Sequence, residues 1–410
     1  MLEYEEALAR LLAAIPRPVS ERISLADAAD RILAEEVLAA IDLPPFDNSA
    51  MDGYALRAAD VASVGRDLPA RLHLVGRVAA GQKFSGEVTS GTCVRLFTGS
   101  PLPAGADAIV MQEDTRVDPG MPNDVLVLDT VKSWENVRFL GEDVKRGTPL
   151  GRKGDTLTVG RLALLAATGC VDVVVARRPV IGIVATGSEL RESGQSLEPG
   201  QIYESNRLAI AALVRKAGGL PHVYPLVSDV LEATQIALSN ALQECDMVIT
   251  SGGVSVGEMD FVKQALVNLG GELQFWKVAI KPGRPFVFGR FPCFDRPSSV
   301  ESKLFFGLPG NPVSALITFL LLVRPAIMRW QGASNVALPS HAAVLAEPLE
   351  NQGERRHFMR VRVSMDGKCH PAGIQASHIL TSIAAADGLV DVPPRTTLAG
   401  GATVQILRWN

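Results

Sequence analysis

Between residues 180 and 323, short apolar runs alternate with longer amphipathic segments, and this alternation limits the possible folds more than any other feature of the chain. VIGIVA, HVYPLV (222–227), DMVIT and LFFGL have the length and composition of strands, and segments with helical spacing lie between them. PVSALITFLLLV (312–323) is predicted to be the helix that follows LFFGL. Strands that alternate with helices form a mostly parallel sheet with helices on both faces. Residues 179–330 are therefore predicted to form one α/β domain, in which Asn206 and Asp229 are expected as helix N-caps.

The flanking segments have a different pattern. Residues 45–143 and 331–410 contain short β-rich runs that are broken by Gly, Pro and Asp and show little helical periodicity. Each segment is predicted to form a small β domain. The first 18 residues carry acidic side chains where a secretory signal would carry basic ones, and their apolar residues are spaced as in an amphipathic helix.

Length and composition limit the possible functions. A chain of 410 residues exceeds what one core usually supports, which predicts about two to four domains. The net charge of -4 gives no broad basic surface for nucleic acid or anionic lipid. The longest apolar run, Val313 to Val323, ends at Arg324 and is shorter than the roughly 20 residues of a membrane span. The charge and the short apolar run predict that the protein binds neither nucleic acid nor membrane. Because the five cysteines are scattered without CxxC spacing, we expect a cytoplasmic protein.

Loops that follow the predicted strands contain residues suited to binding an anion or a metal, and ligands of such sheets bind at the carboxyl ends of the strands. Glycine permits close approach of the backbone, and a helix that starts at Asn311-Pro312 exposes unpaired N–H groups. An ordinary turn or helix cap would explain several of these loops equally well. The candidate residues are Thr186, Glu189, Ser251, Gly252, Gly253, Pro309, Gly310 and Asn311.

Two further motifs allow more than one interpretation. Lys277 and Lys281 would suit a phosphate or oxyanion, although a solvated basic patch is the default interpretation. Residues 253–257 match the GxSxG motif of serine hydrolases. Ser255 lies about four residues beyond the strand end, whereas the nucleophile of that motif sits directly at the turn, so a hydrolase is not favoured.

Seven motifs, in order along nearly the whole chain, resemble the molybdopterin molybdenumtransferase (MoeA) family, whose eukaryotic relative is the gephyrin E domain. They are PPFDNSAMDGYAL, RLFTGSPLPAGADAIVMQED, NVRFLGEDV, VATGSEL, TSGGVSVGEMDF, FWKVAIKPGRPF and GLPGNPVSA.

The resemblance implies a cytoplasmic homodimer with multidomain subunits. An N-terminal helix (1–26) would pack on a molybdopterin-binding α/β domain (179–330) that is similar to molybdopterin adenylyltransferases. Residues 27–44 and 144–178 would form an elongated linking domain, residues 45–143 a β domain and residues 331–410 a C-terminal β-barrel.

The implied reaction inserts molybdenum from molybdate into adenylylated molybdopterin and releases AMP, with Mg²⁺ as cofactor. Contact with a molybdopterin adenylyltransferase and with molybdoenzyme maturation factors is also implied. Two alternatives stay open at this point: the adenylyltransferase reaction itself, because the glycine-rich loops look alike in both enzymes, and a noncatalytic scaffold similar to gephyrin.

The resemblance also assigns residues. Its functional carboxylates correspond to Asp52, Asp143, Glu189, Asp229 and Asp260, and its substrate-binding positions include Thr98, Arg138, Lys277, Lys281 and Ser377. Mg²⁺ takes only one or two carboxylates alongside waters and phosphate oxygens, so all five acids cannot be ligands at once. We expect Asp229 and Asp260, with Glu189, to be the metal ligands. Asp52 and Asp143 would complete the site from across a cleft, from the second subunit.

Overall fold

The computed structural model describes residues 1–79, 81–253, 261–292 and 302–409. The helices in these residues are α1 (Tyr4–Ala13), α2 (Val159–Ala167), α3 (Asn206–Lys216), α4 (Leu231–Glu244), α5 (Phe261–Asn268), α6 (Pro312–Thr318), α7 (Arg324–Trp330) and α8 (Leu380–Ala384).

The first 178 residues are built mainly of strands. These are β1 (Ser20–Ser24), β2 (Val37–Leu38), β3 (Asn48–Ser49), β4 (Gly53–Leu56), β5 (Ala70–Arg77), β6 (Thr92–Leu96), β7 (Ala108–Met111), β8 (Thr115–Asp118), β9 (Met121–Val127), β10 (Val137–Arg138), β11 (Pro149–Gly151) and β12 (Asp172–Ala176). In the described chain, a sheet of order β7-β4-β6-β5-β9-β8 forms the predicted small β domain around a core that includes Leu56, Leu72 and Val125.

Two segments that are distant in sequence pack together beside this sheet. β1 pairs with β12 and β2 pairs with β11, both antiparallel. Buried residues from both segments, among them Leu33, Ala39, Val144 and Leu165, form one apolar cluster. The elongated shape and the domain boundaries given above stay predictions.

The central domain contains β13 (Val180–Ala185), β14 (Leu190–Arg191), β15 (Ile202–Tyr203), β16 (Leu220–Val223), β17 (Met247–Ser251), β18 (Glu272–Trp276), β19 (Ile280–Lys281), β20 (Val287–Pro292) and β21 (Ser302–Leu308). Its sheet has the order β16-β13-β17-β21-β20-β18, in which β20 runs in the opposite direction to the other five described strands. The predicted α/β domain with a mostly parallel sheet is confirmed. Because β13, β17 and β21 are adjacent and parallel, the loops after them meet at one edge.

The C-terminal strands are β22 (Ser340–Leu345), β23 (Leu349–Asn351), β24 (Arg356–Val363), β25 (Lys368–Pro371), β26 (Gly388–Val392), β27 (Thr396–Leu398) and β28 (Thr403–Arg408). β24, β25, β22, β28 and β26 pair in that order, and β26 pairs with β24 again, which closes the predicted β-barrel. β19 of the α/β domain adds to β24 in parallel, so that Lys281 lies opposite His357.

Three local predictions are wrong. Helix α3 begins at Asn206 itself, with Ser205 at the N-cap position, because the Asn206 side chain is used for longer-range hydrogen bonds. Asp229 does not cap α4, since its carboxylate accepts a hydrogen bond from the Ser188 N–H instead. The strand expected over residues 222–227 spans Leu220–Val223.

The apolar helix that starts at Pro312 also extends beyond its predicted end at Val323. A π-helical turn, Phe319–Val323, joins α6 to α7, and this wider turn accommodates Pro325, which has no N–H to donate. The continuous helix, Pro312–Trp330, is long and apolar enough to cross a membrane, but 78% of it is buried inside the protein. Such burial is typical of a core helix, and its residues pack in the main apolar cluster of the α/β domain.

Candidate active site

A cavity of about 700 Å³ lies where β13, β17 and β21 end. The sequence analysis predicted that the loops at this edge would form a site, and nine of the predicted residues line the cavity together: Thr186, Glu189, Asp229, Ser251, Gly252, Gly253, Pro309, Gly310 and Asn311. Ser255 and Asp260 lie outside the described residues.

The glycine loop after β17 is shaped by close packing. Gly252 and Gly253 have φ angles of 91° and 66°, in the left-handed region that favours glycine. A Cβ atom on Gly252 would lie 2.6 Å from the Thr186 carbonyl oxygen, so a larger residue would displace the loop. The backbone can therefore approach a ligand closely here.

Several polar groups at the cavity have no partner within the described part of the chain. The Thr186 side chain is 6% exposed, and its hydroxyl makes no hydrogen bond there. The backbone N–H groups of Gly253, Gly310 and Asn311 are likewise unpaired among the described residues. Pro312 occupies the first turn of the helix that follows, so these N–H groups lie beside a helix N-terminus. An arrangement of unpaired donors is suited to a phosphate.

The carboxylates of the cavity are arranged around the loop after β13. Asp229 accepts a hydrogen bond from the Ser188 N–H at 3.0 Å, and its own N–H donates to the Ser188 hydroxyl at 3.1 Å. Glu189 lines the same cavity. The described residues contain no cluster of three or more His, Cys, Asp or Glu side chains that would hold a metal without help from a ligand. Two carboxylates facing a phosphate site nevertheless fit Mg²⁺, which takes its other ligands from phosphate and water.

The opposite wall of the cavity is more apolar and includes residues from the C-terminal segment. Leu190, Ile202 and Tyr203 belong to the paired strands β14 and β15, and His378 and Leu380 follow the barrel strand β25. Ser377 does not line the cavity itself. Its hydroxyl accepts a hydrogen bond from the Asn311 side chain at 3.1 Å, and its carbonyl accepts one from Val313 N–H at 3.2 Å. The predicted contribution of Ser377 is therefore adjacent to the cavity.

A second group of cations lies between β19 and the barrel. Arg360 on β24 has no exposed surface, and its Nη2 donates to the carbonyls of Ile374 and Ala376. Its Nε and Nη1 have no partner among the residues that the structure describes. Both ring nitrogens of His357 are also buried, with no partner in the described part of the chain. Burial, with the nearby charges of Lys281, Arg360 and Arg355, lowers the pKa of His357 to about 3. Within the described residues no carboxylate pairs with Arg360, so this cluster is suited to an anion.

Lys277 lies apart from both groups. Its ammonium is 3.8 Å from the centre of the Trp276 ring, and the ammonium of Lys263 lies 3.2 Å from the same ring. Its backbone has a φ of 71°, which is unusual for a lysine. The structure does not bring Lys277 to the lining of the cavity.

Asp52 and Thr98 form a pair at the end of the β domain. One Asp52 carboxylate oxygen accepts hydrogen bonds from both the N–H and the hydroxyl of Thr98, each at 2.8 Å. Both bonds lower the pKa of Asp52, and the bond from the backbone N–H contributes most. Gly53 is the first residue of β4, and a Cβ there would lie 2.0 Å from the Val110 carbonyl oxygen on the neighbouring strand, so this position requires glycine.

Arg138 and Asp143 line a second cavity of about 470 Å³, with Pro44, Asn48 and Glu142. Arg138 on β10 lies opposite Asn48 on β3. Because Asn48 is close to Asp52 in sequence, this cavity lies in the same part of the protein as Asp52. Neither member of the Asp52–Thr98 pair, and neither Arg138 nor Asp143, lines the first cavity. Within one chain, the predicted residues therefore form separate groups.

Two residues that the structure places at these groups were not predicted as site residues from the sequence. Asn206 lines the first cavity, and Arg360 is the most buried of the cations. Asn206 could have been recognised only by its position at the start of the helix that follows β13, after residues 186–205. Arg360 lies in HFMRVRV, where an arginine among apolar residues on a strand is a signal for a buried charge.

Three family models match the chain. The model described as "MoeA N-terminal region (domain I and II)" matches residues 2–169, "Probable molybdopterin binding domain" matches residues 182–329, and "MoeA C-terminal region (domain IV)" matches residues 342–409.

Relatives match over the full length. A molybdopterin molybdenumtransferase of Haemophilus influenzae is 36% identical, with 100% of this chain and 99% of the relative covered. The enzyme of that name from Bacillus subtilis is 34% identical, with 99% and 94% covered. The crystal structure of a molybdopterin biosynthesis moeA protein from Pyrococcus horikoshii OT3 superposes with a TM-score of 0.82 at 32% identity, with 99% of each chain covered.

Proposed function

The chain belongs to the molybdopterin molybdenumtransferase (MoeA) family of enzymes in molybdenum cofactor biosynthesis, and we propose that it inserts molybdenum from molybdate into adenylylated molybdopterin, releasing AMP in an Mg²⁺-dependent reaction. The observation that carries the proposal is the cavity at the ends of β13, β17 and β21, where unpaired N–H groups, a buried hydroxyl and two carboxylates face one space. The adenylate phosphate would occupy this space.

Different groups of the protein are assigned to the two anionic substrates. We assign the phosphate to the donors of Gly253, Gly310 and Asn311, because N–H groups bind phosphate without needing a countercharge. We assign molybdate to Lys281 and Arg360, because a buried arginine with unpaired N–H groups calls for an anion. Asp229 and Glu189 would hold Mg²⁺ together with phosphate oxygens, and the bound ion would supply positive charge that stabilises charge developing on the phosphate.

The reaction is tested by supplying the purified chain with adenylylated molybdopterin and Mg²⁺, with and without molybdate, and measuring AMP. AMP release that requires molybdate supports the proposal. Release at the same rate without molybdate would contradict it, and consumption of ATP with net adenylylation of molybdopterin would indicate the adenylyltransferase reaction instead. The Asp229→Asn variant is the matched control, since it keeps the side-chain shape while removing the charge.

We also propose that the enzyme is a cytoplasmic homodimer in which the Asp52 group, formed by Asp52, Thr98, Arg138 and Asp143, faces the first cavity of the second subunit. Two observations support this: no member of the Asp52 group lines the first cavity within its own chain, and two aromatic side chains near Arg138 in sequence are exposed. Trp134 is 49% exposed and Phe139 is 43% exposed, and their ring centres are 5.7 Å apart. Exposed aromatic side chains are enriched at protein interfaces. Through such contacts the enzyme would also meet a molybdopterin adenylyltransferase and molybdoenzyme maturation factors.

A subunit-mixing experiment tests this arrangement. Asp52→Asn and Asp229→Asn chains are each expected to release AMP at a strongly reduced rate. If each site takes one residue from each subunit, a mixed dimer carries one site with both substitutions and one intact site, so random mixing restores about a quarter of the sites. Activity that stays at background in confirmed mixed dimers would show that each site is built within one chain.

A further inference from the structure

Asn206 connects three loops at the base of the cavity. The residue begins α3, after the loop that follows β13, and its side chain is 8% exposed. Its Nδ2 donates to the Ser251 hydroxyl at 2.7 Å and to the Gly310 carbonyl at 2.8 Å. Ser251 ends β17, and Gly310 lies two residues beyond β21. One amide group thus bridges the loops of three adjacent parallel strands.

The two bridged loops carry the donors assigned to the phosphate. Gly253 lies two residues after Ser251, and Asn311 directly follows Gly310. A Cβ built on Gly310 would lie 3.7 Å from the Gly252 Cα, so the loops are close to contact. Their separation sets the distance between the N–H groups of Gly253 and Asn311. Both protons of the Asn206 amide are used to fix that separation.

We infer that Asn206 is a positioning residue that holds the phosphate-binding loops in register, and this inference rests on the proposed function. The residue need not contact the reacting atoms, since it acts through Ser251 and Gly310. A simpler role is to satisfy two buried acceptors and so to stabilise the fold. The two roles differ in what a substitution changes, because a positioning residue affects binding of a phosphate more than binding of the rest of the ligand.

Gln331 provides a matched control, because its side chain bonds to the C-terminal end of α3, the helix that Asn206 begins. Its side chain is 2% exposed, and its Nε2 donates to the carbonyls of Ala217 and Ile327 at 2.9 and 3.1 Å. Ala217 is the C-cap of α3, so Gln331 anchors the end of the helix that is remote from the cavity. It makes the same number of hydrogen bonds as Asn206 does, from a comparably buried amide.

The experiment measures the affinities of AMP and of adenosine by calorimetry for the full chain and its variants. Asn206→Asp retains the shape of the side chain but cannot donate to Gly310, and Asn206→Ala removes both bonds. We expect both variants to bind AMP at least about tenfold more weakly, with adenosine affinity within about twofold of that of the unmodified chain. Gln331→Ala should lower the thermal midpoint to a similar extent without changing the ratio of the two affinities.

The outcomes separate the inference from the proposed function. If the unmodified chain binds AMP no better than adenosine, both the phosphate site and the role of Asn206 are wrong. If it prefers AMP and both Asn206 variants keep that preference, only the inference is wrong. Should Asn206→Ala fail to fold, Asn206→Asp and Ser251→Ala decide, because each disrupts the bridge with little change in packing volume. Loss of the AMP preference in either of these variants, but not in Gln331→Ala, supports the inference.

Discussion

Replacing Arg360 by methionine should weaken molybdate binding by about 30-fold or more, a larger effect than its change in the free energy of unfolding. Burial lowers the pKa of Arg360 from 12.5 to about 10, so removing its charge relieves a cost of about 3 kcal/mol. Against this gain, the carbonyls of Ile374 and Ala376 lose their donor, at about 1–3 kcal/mol each. Because these contributions oppose one another, the free energy of unfolding should change by no more than about 2–3 kcal/mol.

The effect on binding should be much larger. When one partner of a buried, hydrogen-bonded charge pair is removed, the free energy of binding weakens by about 2–5 kcal/mol, which corresponds to a loss of affinity of about 30-fold or more. Calorimetric titration with molybdate measures the affinity, and urea unfolding measures the stability. Arg362→Met is the matched control, since Arg362 lies on the same strand but is exposed. That variant should keep both properties.

The opposite result would show that Arg360 is structural. If Arg360→Met bound molybdate with unchanged affinity and lost about 4 kcal/mol or more of stability, the unpaired Nε and Nη1 groups would have no ligand to explain them. The assignment of molybdate to this cluster would then be wrong. If Arg360→Met loses both molybdate binding and stability, Arg360→Lys separates the two roles, because it retains the charge but not the planar set of N–H donors.

Three further predictions concern other parts of the molecule. His357 has a pKa of about 3 when folded and about 6.5 when unfolded, so between pH 7 and 5 only the unfolded state gains its proton. On going from pH 7 to 5, the free energy of unfolding of His357→Gln should therefore rise by about 2 kcal/mol relative to that of the unmodified chain. Urea unfolding that shows the same difference between the two proteins at both pH values would contradict this. Asp52→Asn should lower the rate of AMP release by roughly 100-fold with an unchanged thermal midpoint, and a parallel loss of both would indicate a structural role. Gly252→Ala should cost about 1–3 kcal/mol and weaken AMP binding, because its Cβ would lie 2.6 Å from the Thr186 carbonyl oxygen; Gly147→Ala, which has a similar φ but open space, should cost stability alone.

The sequence predicted the first cavity because its components are local. Each loop follows a short apolar strand and contains Gly, Pro or a hydroxyl residue, and the rule that parallel strands end at one edge brings the loops together. Thr186, Gly252 and Asn311 were found for this reason. The closure of the barrel and the packing of the long helix depend on contacts between distant residues, and the end of that helix was missed because a π-helical turn accommodates Pro325.

Long-range hydrogen bonds were the part that the sequence could not predict. An asparagine before an apolar helical segment predicts an N-cap, but the Asn206 side chain bonds to residues 45 and 104 positions away. Asp229 gave the same wrong prediction, because the loop after β13 offers its carboxylate a partner in Ser188. In both cases a tertiary contact replaces the local cap that the pattern favours.

The C-terminal barrel has a clear place in this arrangement. Arg360 holds the backbone at Ile374 and Ala376, and the next residue, Ser377, is bonded to Asn311 at the start of the helix that borders the cavity. The cation cluster and the phosphate-binding loops are therefore joined by a short, continuous series of hydrogen bonds. A reaction that consumes two anions needs them held at a fixed separation, since their charges repel each other in solution. In the proposed reaction the barrel would supply the buried cation for one anion and, through the Ser377–Asn311 hydrogen bond, would fix it relative to the site of the other.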